Sequence, residues 1–335
     1  MENSIIGCVE QEYLRFITSD KFNEHNDTSF WKAAKLLIDR GVKTLQVITD
    51  ESQIRLVKKL KNKFPQLVII AGGNIQSSTS AKAFLQAGAD YIVIERYFQN
   101  HPNKIGSFSK IFGKHLIASI SDNSTIESLL SQISLFKKNG VRTILYVNEK
   151  RKLLTEGVSI DNFSKIRGLV PSAHLIYSGG VTQYEDIKRL CKTGADSILI
   201  GTALYTHTIN PIKAEMYLHD YKYKIIKCIK DVNFTKSRGL VPAVIQDNST
   251  KNILMLGYMN TDALRRTLKT RKVHFWSRSR QEIWFKGKKS KNFLLVHSIS
   301  LDCDQDALLI SVSEATRSTP ICHTGSNTCF LYSLL

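Results

Sequence analysis

The chain has no apolar run long enough to cross a bilayer. Its first twenty residues, MENSIIGCVEQEYLRFITSD, carry Glu2, Glu10, Glu12 and Asp20 where a secretory signal would be apolar. Both absences set the expectation of a cytoplasmic protein with no membrane partner. Cysteine is sparse: six residues in 335, three of them within the last 33. In a reducing compartment a disulfide framework is not expected, so clustered thiols point to metal binding or reactivity. Cys8 and Cys191, alone in apolar runs, are expected to be buried. Acidic residues are in deficit, 29 against 47 Lys+Arg, for a formal net charge of +18. Such an excess suits nucleic acid, an anionic surface or a phosphorylated small molecule. It equally suits a solvated lysine-rich surface, as at Lys58, Lys59, Lys61 and Lys63, and charge alone does not choose.

What the chain does contain is a repeat. GVKTLQVITD (41–50) resembles GVRTILYVNE (140–149), and AGGNIQSSTSAKAFLQAGADYIVI (71–94) resembles SGGVTQYEDIKRLCKTGADSILI (178–200), in the same order and at offsets of roughly one hundred residues. Short apolar runs at 67–71, 91–94, 144–147, 175–177 and 197–200 read as buried strands. Between them, 78–87 and 184–192 have helical spacing, closed by Gly88 and Gly194. Strands near residues 5, 45, 68, 92, 117, 144, 175 and 198 number eight, which predicts an α/β fold with a (β/α)8 barrel over 1–212. In such barrels chemistry sits where strands end. Gly72 and Gly73 follow the third strand, Ser178, Gly179 and Gly180 end the seventh, and Gly201 and Thr202 follow the eighth. Glycines there either make tight turns or let backbone N–H groups approach a phosphate, and their symmetric placement favours two phosphate sites.

The opening IIGCVEQ and the segment SGGVTQYEDIKRL…GTALY resemble the phosphoribosylformimino-5-aminoimidazole carboxamide ribotide isomerase family of histidine biosynthesis, over most of residues 3–206. The resemblance implies a two-fold repeated barrel for a doubly phosphorylated substrate, with an acid–base pair at the strand ends. In that family an Asp ends strand one, where this chain has Glu10. The second acid falls on Ser121, with Asp122 next to it, and a Thr-Asp pair becomes Val147-Asn148. Glu95 stands opposite one phosphate site. Glu10 and Asp122 are therefore the catalytic candidates, Asp122 only if a register shift turns its carboxylate inward. Weak or absent isomerisation is expected.

Residues 213–230 read as a basic linker helix, and 231–335 as a small α+β metal-binding domain. Its strands are expected at 243–246, 253–256, 273–276, 294–298 and 307–312, with a helix at 261–268 started by Thr261 and Asp262. In LDCDQDAL, Asp302, Asp304 and Asp306 alternate at strand spacing and would project from one face, a set of oxygen donors for Mg2+; the plainer reading is a solvated acidic turn. Cys303 would face the other way, and Cys322 and Cys329 add two thiols. Three thiolates with an open position make a catalytic zinc site, while His323 leaves a closed Cys3His site open as an alternative. In HFWSRSRQEIWFKG (274–287), Trp276, Arg278 and Arg280 would share one strand face and Ser277 the other. The arginines and Lys286 offer donors to phosphate; Trp276 and Trp284 either stack on a base or fill a core.

GLVPAVIQD, MLGYMN, HFWSRSRQEIWFKG, LDCDQDALL and CHTGSNTCF, in this order, resemble the phosphoribosyl-AMP cyclohydrolase family over roughly residues 231–330. The resemblance implies Mg2+ at Asp302, Asp304 and Asp306, and Zn2+ at Cys303, Cys322 and Cys329. It also implies a homodimer in which the first cysteine and the last two come from different subunits. The implied reaction is hydrolysis of the N1–C6 bond of phosphoribosyl-AMP, with His323 as general acid–base or as an orienter of the metal shell. KKSKN (288–292) stands where the family has ETSGN, and EATRSTP lengthens the approach to Cys322. The product of this reaction is the substrate of the barrel's family, so one chain would carry consecutive steps. The competing expectation is a zinc-containing nucleic-acid-binding module, which three adjacent aspartates oppose.

Overall fold

Eight short apolar runs pair in parallel and close on themselves. They are β1 (Ile5–Val9), β2 (Thr44–Ile48), β3 (Val68–Gly72), β4 (Tyr91–Ile94), β5 (Leu116–Ser121), β6 (Thr143–Val147), β7 (His174–Ser178) and β8 (Ser197–Ile200), with β8 returning to β1. Strands of such a barrel are covered on both faces, so these runs are apolar throughout rather than alternating. All five residues of β1 and of β6 are buried. The barrel expected from strand–helix alternation is the one the chain forms. The computed structural model describes residues 4–9, 27–49, 54–73, 75, 77–94, 97–98, 101–122, 125–149, 157–236, 238–288, 290, 292–314, 320–322 and 324–333.

The crossovers are amphipathic helices: α1 (Asp27–Asp39), α2 (Ile54–Lys63), α3 (Ser78–Gln86), α4 (Ile105–Phe112), α5 (Ile126–Lys138), α6 (Asp161–Leu169), α7 (Tyr184–Thr193) and the short α8 (Thr202–Tyr205). In α2, Leu56, Val57 and Leu60 are buried while Lys58 and Lys59 face solvent. The Ser77 hydroxyl caps α3 by accepting the Ser80 N–H at 3.0 Å. Gly194 ends α7 in the left-handed region, φ +94°. Cys8 and Cys191 are both buried.

The repeat is visible in the packing. In the first half, Lys61 Nζ reaches Asp90 at 2.9 Å and donates to the Leu67 carbonyl, while Asp90 accepts the Ile69 N–H at 2.8 Å. In the second half, Arg167 reaches Asp196 at 2.6 Å and donates to the Ala173 carbonyl, while Asp196 accepts the Leu175 N–H at 2.9 Å. Each cation–carboxylate pair pins the start of a strand to the helix before it. Lys61 is thus a pin as well as part of a basic helix.

Helix α9 (Pro211–Lys230) continues from the barrel, and the chain divides into compact units within it, at Met1–Tyr221 and Lys222–Leu335. Ala214 and Leu218 belong to the barrel core, and Ile229 packs on the second core. The second unit is a mixed sheet of β9 (Val241–Asp247), β10 (Ile253–Met259), β13 (Leu294–Leu301) and β14 (Leu308–Glu314), in the order β10-β9-β14-β13. Among the described residues of this sheet, β14 and β9 pair in parallel and the other neighbours antiparallel. Helix α10 (Thr261–Thr270) and a hairpin of β11 (His274–Ser277) and β12 (Glu282–Phe285) complete it. Two local expectations change. The cap of α10 is Asn260, whose side chain accepts the Ala263 N–H at 2.8 Å, not Thr261. Strand β12 was not foreseen. Among the described residues no helix is long and apolar enough to cross a membrane.

Candidate functional site

The carboxylate trio lies in the loop between β13 and β14, not on a strand. Asp302 Oδ1 accepts the N–H groups of Asp306 at 2.9 Å and Ala307 at 3.0 Å. These bonds, the Ala307 one foremost, hold its carboxyl below the usual carboxylate range. The loop therefore gathers the three side chains by turning back on itself, and strand alternation plays no part. One oxygen from each of Asp302, Asp304 and Asp306 lies within 4.8 Å of the others. Lys236 Nζ ion-pairs with Asp304 and, at 3.2 Å, with Asp306. Those two carboxylates hold the Lys236 proton more tightly than usual, the Asp304 bond first. Three hard oxygen donors brought this close together, two of them already paired with an ammonium, fit a divalent ion such as Mg2+ in charge and in donor type.

The two C-terminal thiols are neighbours in a loop anchored to β10. Cys329 N–H donates to the Leu254 carbonyl at 2.8 Å, and the Thr328 hydroxyl to the Ile253 carbonyl at 2.9 Å. Within the loop, Cys322 N–H donates to Ser326 and the Thr324 hydroxyl reaches Cys322 Sγ at 3.1 Å. Burial and the adjacent Cys322 thiol push the Cys329 thiol up, against the Lys286 ammonium, which lowers it. Lys286 is buried, and its Nζ donates to the Ile321 carbonyl at 2.6 Å. That bond makes Lys286 an anchor of the cysteine loop, a role the sequence reading did not assign to it. Cys303 is exposed in the carboxylate loop. Among the described residues the aspartates form a three-donor group, whereas Cys303 does not join Cys322 and Cys329 in one. His323 lies outside the described residues.

Strand β11 ends at Ser277, so Arg278 and Arg280 sit in the hairpin turn and do not continue the face of Trp276. The Arg278 guanidinium lies 3.8 Å over the Tyr258 ring, and Arg280 pairs with Glu282 at 3.0 Å. Ser277 Oγ accepts the Arg280 N–H at 3.3 Å. Trp276 is half-buried, and Trp284 packs against Phe275 and the core. His274 has no exposed surface and stacks on Phe285 at 4.4 Å. Burial pulls its pKa down to about 4, so it is neutral at physiological pH.

In the barrel, Glu10 and Glu95 lie outside the described residues. The β5–β6 register runs unbroken from Ile117↔Thr143 to Ser121↔Val147. Ile120 pairs with Tyr146, which packs on Phe163 of α6 at 5.7 Å, so this set of residues faces the helix layer. Asp122 lies one residue past the end of β5, and its carboxylate is hydrogen-bonded to the Tyr146 hydroxyl. Its Oδ1 accepts the Glu149 N–H at 2.9 Å, and it raises the pKa of the Tyr146 hydroxyl after burial, the larger cause. The β5–β6 pairing shows no register shift up to Ser121, and beyond it the Asp122 carboxylate ties the end of β5 to the segment after β6. The glycine turns at the strand ends are matched in the two halves. A Cβ on Gly73 would lie 2.2 Å from the Thr49 carbonyl oxygen and one on Gly179 2.5 Å from that of Asn148, at φ +127° and +108°. Only glycine fits those matched positions. Gly72 ends β3, buried Ser178 ends β7, Gly180 has φ +71°, and Gly201 precedes Thr202, the first residue of α8. The Tyr205 hydroxyl ties α8 to the Cys8 carbonyl at 2.7 Å.

Two family models match, one described as histidine biosynthesis protein over residues 13–210 and one as phosphoribosyl-AMP cyclohydrolase over residues 255–331. The chain is 52% identical over 102 residues to the histidine biosynthesis bifunctional protein HisIE of Photobacterium profundum, covering 30% of this chain and 48% of that one. It is 46% identical over 99 residues to the phosphoribosyl-AMP cyclohydrolase of Bacillus cereus (strain ATCC 14579), covering 30% and 95%. To that of Clostridium botulinum (strain 657) it is 46% identical over 107 residues, covering 32% and 94%. The chain spans about half the length of the bifunctional relatives it matches. It belongs to the histidine biosynthesis protein family through its barrel and to the phosphoribosyl-AMP cyclohydrolase family through its C-terminal unit.

Proposed function

We propose that the C-terminal unit opens the adenine ring of phosphoribosyl-AMP at the N1–C6 bond, and that the barrel binds the phosphorylated product without turning it over efficiently. The observation that carries the first part is the meeting, in one small unit, of a convergent carboxylate trio with a thiol pair. Asp302, Asp304 and Asp306 would hold Mg2+; Cys322 and Cys329, with Cys303, would hold Zn2+. When bound, zinc supplies a water activated for attack on C6, and magnesium neutralises phosphate charge. Arg278, held over the Tyr258 ring, is positioned to receive a phosphate with little loss of side-chain freedom. Lys286 fixes the carbonyl preceding Cys322 and so orients the thiol loop. As the N1–C6 bond breaks, N1 gains a proton, and His323, next in sequence to Cys322, is the group proposed to carry it.

A second copy of the chain would complete the thiol set. Cys303 is exposed and apart from the other two thiols, and the outer sheet face carries a row of Leu256, Val244 and Leu309 in register, with Leu256 44% and Leu309 41% exposed. An apolar row of this kind fits a homodimer interface. Mixed Cys303→Ser and Cys322→Ser proteins, allowed to exchange, should then regain activity, because one site of the heterodimer recovers three thiolates. No recovery after proven exchange would place the site within one chain.

The test of the reaction is an absorbance assay of the purified chain with phosphoribosyl-AMP. Turnover that is lost with chelator and restored by added metal is expected. Turnover indifferent to chelation, or none in metal-loaded protein, would overturn the proposal.

A further inference from the structure

Lys236 lies between α9 and β9, outside every motif discussed above. Its segment is fastened to the carboxylate loop at two points. Asn233 N–H donates to the Gln305 carbonyl at the loop apex, at 2.7 Å, and the Lys236 ammonium bridges Asp304 and Asp306. Asp302, by contrast, is satisfied by the loop's own N–H groups. We infer that Lys236 is the resident counter-cation of this loop and that it lowers the loop's affinity for a divalent metal ion; the inference rests on the reading of the trio as a metal site.

The physical case is competition for the same charge. Like-charged carboxylates this close repel one another, and without a cation the loop would open. The Lys236 ammonium relieves that repulsion for Asp304 and Asp306 while leaving Asp302 free of it. A divalent ion taking one oxygen from each aspartate must use the charge that Lys236 already neutralises, and two cations at one set of carboxylates repel. Metal entry therefore requires the ammonium to withdraw. Withdrawal is feasible because Lys236 is 42% exposed and its stem can swing into water. Two observables then move in opposite directions when the charge is removed: the metal-free loop loses stability, and the metal binds more tightly. A merely structural lysine would lower both.

The experiment titrates Mn2+ into the full chain with its zinc retained, following free Mn2+ by electron paramagnetic resonance and metal-free stability by thermal melting. Exposed ion pairs are individually weak, so Lys236→Met, which keeps the stem and loses the charge, is expected to bind Mn2+ about three- to tenfold more tightly than the wild type. Its metal-free melting temperature should fall. Lys236→Arg, which keeps the charge, should bind within about twofold of the wild type. Equal or weaker binding by a folded Lys236→Met protein, with Asp304→Asn still abolishing the wild-type signal, would overturn the role of Lys236 alone. A wild type that binds no Mn2+, or binds it regardless of Asp304→Asn, would remove the metal reading and this inference with it.

Discussion

The barrel and the C-terminal unit differ in where their polar side chains are spent. In the barrel, the polar groups that are best held serve the backbone: the Lys61–Asp90 and Arg167–Asp196 pins at strand starts, and Asp122 bracing a strand end. The last paired residues of β5 and β6 are Ser121 and Val147, and the next residue, Asn148, is tied to the Tyr177 hydroxyl at 3.3 Å. In the C-terminal unit the donors stand on loops: the trio between β13 and β14, the thiols in the tail, and Arg278 in a hairpin turn. Framework and candidate chemistry are separable: the barrel's best-held polar groups build strands, whereas the C-terminal donors stand on loops that a framework only carries.

The largest test of this contrast pairs one substitution with one assay. Cys329→Ser should remove zinc, read by elemental analysis, and lower ring opening by more than about 100-fold, since even outer-shell changes at metal sites cost about 10–100-fold. The ring-opened product, supplied to the wild-type chain, should be isomerised about 10²–10⁴-fold more slowly than by an enzyme with a positioned acid–base pair. Rapid isomerisation abolished by Glu10→Gln would erase the contrast and make the chain bifunctional.

Next in size is a comparison inside the barrel. Arg167 is 1% exposed and Asp196 11%, whereas Lys61 and Asp90 are 27% and 35% exposed. Arg167→Met leaves a carboxylate uncompensated among buried groups and should cost about 3–5 kcal/mol in denaturant unfolding. Lys61→Met, at the matching position of the other half, should cost about 0–1 kcal/mol. Equal losses would mean that burial does not distinguish the two copies.

The parts of the molecule that were legible in the sequence are those where local chemistry leaves one option. Buried parallel strands must be apolar throughout, and the glycines at 73, 179 and 194 sit where φ is positive. The candidate donors could be named from the sequence, but their geometry could not. Period-two reading ran through Ser277 into Arg278 and Arg280 because the turn lacks glycine, asparagine and proline; Gln281 takes the left-handed conformation, φ +51°, that such residues usually mark. The same reading placed the aspartates on a strand, because backbone N–H groups that close a loop onto Asp302 have no sequence signature. Lys236 and Lys286 were not legible as partners of the loops at all, since both contacts join residues far apart in the chain.

Acid should weaken the C-terminal unit through His274. Its ordinary pKa is 6.5 and its folded value about 4, so the unfolded chain takes up a proton near pH 6.5 that the folded chain refuses until about pH 4. The contribution is complete above pH 6.5, is lost as pH falls towards 4, and amounts to about 3 kcal/mol. Tyr205 and Cys191 of the barrel are pushed upward by burial, Cys191 to about 12, and add nothing in that window. The urea midpoint should therefore drop more steeply between pH 6.5 and 4 in the wild type than in His274→Phe. Parallel slopes would remove His274 as the cause.

The smallest expected effect asks whether the two units respond alike where their local physics is alike. Ser77 caps α3 in the barrel by accepting the Ser80 N–H at 3.0 Å, and Asn260 caps α10 in the C-terminal unit by accepting the Ala263 N–H at 2.8 Å. In both, the cap residue has extended backbone while the next residue is helical, which leaves an N–H in the first turn for the side chain to satisfy. Asn260 was passed over for Thr261 because Asn, Thr and Asp in succession are all acceptable caps, and only backbone conformation selects among them. Ser77→Ala and Asn260→Ala should each cost about 1 kcal/mol by chemical denaturation. Thr261→Ala, lacking that bond, should cost less than either. A larger loss from Thr261→Ala than from Asn260→Ala would return the capping role to Thr261, where sequence alone had put it.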